Sequence, residues 1–272
     1  MEFHWIIYIL SLAIAGIGSG FASGLFGVGG GIVRIPIFLF LWPLFGFNPD
    51  TLMHLAAGTS LTLAIPSALI ASRSQHRAGN LDFGFLKTWV PGLVLGVIIG
   101  LVIMHFASSR FLETVFAVVI IIAAVQMLFL SGRYHLGNEV PGGYLKSILS
   151  FPVGLLSVMM GISGGTLTTP LLTAFKYPIH RCIALATAGG LFISIIGMVG
   201  SLINGLGKAG LPKYSLGYID LLAVIIMLPT VMIGAPYGVK LANHLSREKL
   251  KKVFAIFMIV VAVEMLYGLI AK

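Results

Sequence analysis

Two glycine-rich phrases hold the residues best suited to chemistry in this chain. The first runs Gly20-x-x-Ser23-x-x-x-Gly27-Val28-Gly29-Gly30-Gly31, with Arg34 and Pro36 following. The second runs Gly154-x-x-Ser157-x-x-x-Gly161-Ile162-Ser163-Gly164-Gly165, with Pro170 at the matching place. A helix that restarts after such a run presents unpaired backbone N–H groups and the positive end of its dipole. Glycine lets that backbone come close to a ligand because no side chain intervenes. Two such N-termini facing one cavity, built from Gly29, Gly30 and Gly31 and from Gly164 and Gly165, suit a small tetrahedral or planar oxyanion. Ser163, Thr166, Thr168 and Thr169 add hydroxyl donors at the second break. Arg34 adds a full charge three residues past the first, where the second half has Thr168. A buried arginine in a membrane segment is a functional feature by default, and snorkelling or capping of a helix end is its structural alternative.

Five or more glycines inside an apolar stretch are incompatible with ordinary helix, since each costs roughly 1 kcal/mol relative to alanine. In lipid such a break survives only where protein buries it or a wet cavity adjoins it. A break that recurs at corresponding places in two halves is a pointer to a transporter's binding site.

The elements that must position these breaks are membrane helices. The 272 residues are 58% hydrophobic and 9% charged, against about 25% charged in soluble domains. Apolar runs fill the chain at about 4–27, 31–46, 51–72, 83–106 and 110–130, then 144–164, 166–177, 181–204, 217–241 and 246–270. The expected fold is an all-α integral membrane protein with about 8–10 membrane segments. The longest polar interval, 131–143, leaves no separate soluble domain. Cys182 alone excludes a disulfide framework and any cysteine-based metal cluster. No cofactor, metal site or catalytic residue is expected.

The segments repeat. Asp82 matches Asp220, Pro91 matches Pro229, and Gly96 and Gly100 match Gly234 and Gly238. At the same offset Ser108, Leu112, Val115, Phe116 and Ala117 match Ser246, Leu250, Val253, Phe254 and Ala255, and Met127 matches Met265. Residues 1–138, with a glycine tip at 27–31, form the first repeat, and 139–272, with a tip at 161–165, the second. Lys240, Arg247, Lys249, Lys251 and Lys252 place the last connection in the cytoplasm, whereas its first-half equivalent offers only Arg110. Arg73 and Arg77 place an earlier connection of the first half inside. Equivalent loops thus prefer opposite sides, as inverted repeats with re-entrant helices require. Both termini fall outside, although Lys208 and Lys213 then sit in an external loop. The segments after the breaks, about 16 and about 12 residues, are too short for a hydrocarbon core of about 30 Å. The two tips are therefore expected to meet near the middle of the protein.

Thr59, Ser60 and Thr187 on the third segments extend the polar lining, or else the small residues around them serve close helix packing. Gln126 and Glu264 are repeat equivalents near segment ends, and Asp82 and Asp220 are helix N-caps. The excess of cations, a net charge of +9, reflects positive-inside orientation first and anion steering second.

The paired phrase, with its prolines and the Ala56-Ala57-Gly58-Thr59-Ser60 stretch that follows, resembles the sulfite exporter TauE/SafE family over essentially the whole chain. The resemblance implies a multi-pass inner (plasma) membrane carrier, not an enzyme, for sulfite, organosulfonates or related anions. The second repeat departs from that pattern at Ala188-Gly189-Gly190, where a Thr-Ser pair is expected. The partners implied are a small anionic substrate and the lipid bilayer, with no nucleic acid and with a homodimer as an open option. Two rivals remain: an anion channel built on the same tips, and a rhomboid-like serine protease on Gly161-Ile162-Ser163-Gly164, which needs His180 or His244 as its base.

Overall fold

The computed structural model describes residues 2–26, 30–126, 137, 139–244 and 247–270. Gly27, Val28 and Gly29 of the first tip, most of the 131–143 link, Met127 and Ser246 lie outside the described residues. Ten helices follow in order: α1 (Glu2–Phe26), α2 (Gly31–Leu44), α3 (Pro49–Arg77), α4 (Phe83–Phe106), α5 (Ser109–Val125), α6 (Leu145–Met159), α7 (Gly165–Thr173), α8 (Ile179–Gly205), α9 (Leu221–His244) and α10 (Arg247–Ile270). The protein is all-α and membrane-embedded. Five helices, α1, α3, α4, α8 and α9, contain stretches long and apolar enough to cross a membrane, and α2 and α6 are shorter apolar helices.

Helix starts follow local chemistry. Asn48 Oδ1 accepts the Asp50 N–H at 3.0 Å ahead of α3, with Pro49 in the first turn. Ser108 Oγ accepts the Phe111 N–H at 3.2 Å ahead of α5. Asp82 and Asp220 cap α4 and α9, accepting the N–H of Phe85 and of Ala223 at 2.9 Å each. Each relieves one of the orphan donors of a helix N-terminus.

The helices after the glycine breaks are shorter than the apolar pattern suggests. α2 has 14 residues and α7 has 9, about 21 Å and 14 Å of helix. In α7 the cause is a turn: Phe175, Lys176 and Tyr177 send their N–H groups back to the carbonyls of Leu172 and Thr173 at 3.0–3.2 Å, and Lys176 takes φ 58°.

Packing interlaces the two parts of the chain. α1 packs along α9, α4 along α6, α3 against α8 and α5 against α10. In the first two pairs glycines let backbones touch at corresponding places. Gly234 and Gly238 of α9 lie on the carbonyls of Ile17 and Phe21 of α1, while Gly96 and Gly100 of α4 lie on those of Phe151 and Leu155 of α6. Gly20 meets the Val231 backbone, and Gly154 meets that of Leu93. In a lipid-facing protein, where burial of apolar side chains gives no net drive between helices, this close approach supplies the dispersion contact that holds them.

Candidate functional site

The two breaks have the same conformation at the glycine that starts each helix. Gly30, the N-cap of α2, has φ 75°, and Gly164, the N-cap of α7, has φ 78°. That left-handed conformation costs an L-residue roughly 1–2 kcal/mol, so glycine is required at both. The Gly30 carbonyl accepts from the N–H of Val33 and Arg34 at 3.1 and 2.9 Å, and the Gly164 carbonyl from Leu167 and Thr168 at 3.2 and 2.9 Å. The first N–H groups of each helix, on Gly31 and Ile32 and on Gly165 and Thr166, have no acceptor within their own helix.

The tips meet. A side-chain carbon at Gly31 would stand 2.9 Å from the Ile162 Cα and 3.0 Å from the Gly161 carbonyl oxygen. Ser60 of α3 donates to that same oxygen at 2.8 Å, fastening the second tip to α3. Gly190 of α8 lies directly on the Ser163 carbonyl, which lets α8 close over the tip.

Beside this junction is a cavity of about 170 Å³. Its polar wall comes from Ser23 of α1, Ser67 of α3, Ser163, Gly165 and Thr169 of the second tip, and Thr187 of α8. Ala68, Ala71, Ile183, Ala186 and Gly190 complete it. Arg34 is buried, at 1% exposure. It does not line the cavity; its guanidinium carbon lies 3.4 Å from where a Gly30 side chain would begin, as does the Ser23 hydroxyl. The chain thus folds a fixed positive charge back onto the positive end of α2, an arrangement that the helix dipole opposes.

Of the residues expected at a site, the structure brings Ser163, Gly165 and Thr187 to one cavity, with Gly30 and Arg34 behind Ser23. Gly31 and Gly164 are buried at the tips, and Gly29 lies outside the described residues. Thr166 and Thr168 are buried, but neither borders the cavity. Thr59 accepts the Asp220 N–H at 2.9 Å, and Ser60 holds the tip from behind. Thr187 also donates to the Ala184 carbonyl at 3.0 Å. Ser67, Ile183 and Ala186 are additions that sequence reasoning missed, and no spacing marks them. Ser23 was legible in the repeated phrase, since Ser157, its equivalent, stands in the same relation to Gly164 at 3.5 Å.

The histidines that a protease would need are elsewhere. His180 and His244 are exposed, and His244 Nδ1 lies 2.8 Å from the Lys240 carbonyl. His54 is buried, with Nε2 at 2.9 Å from the Met104 carbonyl and Nδ1 near Ser109. Gln126 ends α5, and Glu264 is exposed on α10.

Comparison with known proteins agrees with this architecture. The chain is 30% identical over 258 residues to a Haemophilus influenzae protein named "Probable membrane transporter protein", covering 95% of this chain and 98% of the relative. It is 26% identical over 259 residues to a protein of the same description from Methanocaldococcus jannaschii, covering 92% of each. It is 21% identical over 276 residues to the Bacillus subtilis "Probable membrane transporter protein YunE", covering 94% of this chain and 96% of that one. A multi-pass membrane transporter, with no catalytic function indicated, is what these likenesses and the apolar helices support together. The family profile described as "Sulfite exporter TauE/SafE" matches residues 12–265, and the chain belongs to that family.

Proposed function

We propose that this transporter is a carrier of a small oxyanion, with sulfite and organosulfonates as the leading class, and that the two glycine tips and the cavity beside them hold the substrate. The observation that carries the reading is Arg34: a buried guanidinium set against Gly30 and Ser23, with Ser23 on the wall of a hydroxyl-lined cavity. A cation and hydroxyl donors in a water-poor site select for negative charge. Its volume of about 170 Å³ exceeds the roughly 30 Å³ share of one water several-fold, which suits an ion of a few heavy atoms. The reading extends to the two repeats, residues 1–138 and 139–272, as inverted halves with the termini outside. The crossed packing of α1 with α9 and of α6 with α4 supports it.

The test is a melting-temperature screen of the purified protein against sulfite, sulfate, sulfoacetate, taurine and carboxylates, followed by exchange in proteoliposomes. A ligand that binds only the folded state raises the melting temperature. We expect an oxyanion to do so and its flux to saturate and accelerate with unlabelled anion inside, as carriers do. Unitary conductance steps establish a channel instead, and a response to cations or neutral solutes alone refutes the anion reading.

A further inference from the structure

Asp82 and Asp220 are capped alike but housed differently. Beyond its N-cap bond, Asp82 Oδ2 accepts from the Tyr177 hydroxyl at 3.3 Å, and Asp220 Oδ2 from the Tyr8 hydroxyl at 3.1 Å. Asp82 is partly exposed, and the Phe85 N–H holds its carboxyl below the ordinary range. Asp220 is 2% exposed, at a cavity of about 320 Å³ walled by Trp5, Tyr8, Phe45, Phe47 and Tyr214. Trp5 and Tyr214, at 47% and 50% exposure, leave the cavity open at its rim. Burial among rings pushes the Asp220 carboxyl up. The titratable groups facing it are Tyr8 from α1 and Lys213 and Tyr214 from the α8–α9 connection. α2 and the turn after it present only Leu44, Phe45 and Phe47, α9 adds Leu222, and α3 presents the neutral Thr59.

Asp220 ties α9 to α1 through its carboxylate and to α3 through its backbone N–H. Tyr8 lies on α1, the helix that leads into the first tip. The Asp220 N–H donates to Thr59, whose neighbour Ser60 holds the Gly161 carbonyl of the second tip. A charge lost at Asp220 weakens a charge-assisted bond at the α1 joint.

We propose that Asp220 is the proton-coupling residue of the carrier. Its carboxylate takes one proton from water in the aromatic cavity, becomes a neutral carboxyl in one half of the transport cycle and returns the proton in the other. The proposal rests on the anion-carrier reading above.

The experiment combines infrared titration of the carboxyl stretch with proteoliposome flux, reading anion movement with methanesulfonate, sulfoacetate and sulfite and proton movement with the two sulfonates alone, since sulfite carries a proton of its own as bisulfite. The full-length protein should show one carboxyl that loses its proton at higher pH than an ordinary carboxylate does. Asp220→Asn, which keeps an oxygen to accept from Ala223, should remove that band and reduce proton movement accompanying the anion to background. A titration unchanged in Asp220→Asn, or proton movement per anion equal to wild type, overturns the proposal. Tyr8→Phe guards against misfolding of the first variant. Losing a donor to the charged form raises the midpoint, and an unmoved midpoint also overturns it. If the wild type moves none of the three anions, the carrier reading fails and takes this proposal with it. A titrating Asp220 beside anion flux that carries no protons fails the coupling alone.

Discussion

The two tips share a left-handed glycine at the helix start and differ in what covers it. At each, a left-handed glycine faces the serine of the repeated phrase: Gly30 with Ser23, Gly164 with Ser157. At the first tip the third neighbour is the Arg34 guanidinium; at the second it is the side chain of Ile193 from α8. Thr168, at the Arg34 position, is buried away from the cavity. The same fold element has thus been given charge on one side and an apolar lid on the other. The second tip reaches the cavity instead through Ser163, Gly165 and Thr169. On the proposed anion-carrier reading, charge would come from the first tip and hydroxyl contact from the second.

The widest expected gap is between Arg34→Ala and Thr168→Ala. Loss of a charged hydrogen bond in a dry site costs about 1.5–3 kcal/mol, so Arg34→Ala should weaken anion binding by about 10- to 150-fold. Arg34→Lys should lose less, because charge survives while the planar fork does not. Thr168→Ala should leave the dissociation constant within about twofold, since the side chain lost carries no charge. Calorimetric binding to the three variants decides it, and equal affinities would erase the division of labour.

Stability separates the tips in the other direction. Gly30→Ala meets Ser23 and Arg34 atoms first, at 3.3–3.4 Å, and should cost about 1–2 kcal/mol of backbone strain. Gly164→Ala adds a clash with Ile193, so its loss should be larger, by about 1–3 kcal/mol. Melting in detergent measures both, and Gly164→Ala,Ile193→Val should recover part of the deficit.

The smallest contrast is between the serines. Ser23→Ala removes a cavity hydroxyl and should weaken anion binding by about three- to tenfold. The Ser157 hydroxyl is buried without a hydrogen-bond partner among the described residues, so Ser157→Ala should leave binding alone and hold or raise the melting temperature. Equal losses in both would show that the second serine also reaches substrate.

Legibility in the sequence tracked backbone constraint. Ten segments, the helix breaks at Gly30 and Gly164 and the caps at Asp82 and Asp220 were all readable, because apolar length, left-handed glycine and capping oxygens are local necessities. The lengths of α2 and α7 were overestimated, since an apolar residue such as Phe175 or Tyr177 serves a turn as well as a helix. Thr59 shows the same gap: polar lining and helix packing were both open to it in the sequence, and the structure binds its hydroxyl to the start of α9.

By itself, then, the sequence determined a membrane-embedded helical chain with two glycine breaks, because lipid leaves no other way to satisfy a backbone that polar residues cannot solvate. Tertiary structure alone decided which side chains met. Ser67 reached the cavity, Ile193 covered Gly164 and Tyr8 found Asp220, contacts between residues 29 to 212 positions apart, in directions set by helix crossing rather than by any local rule.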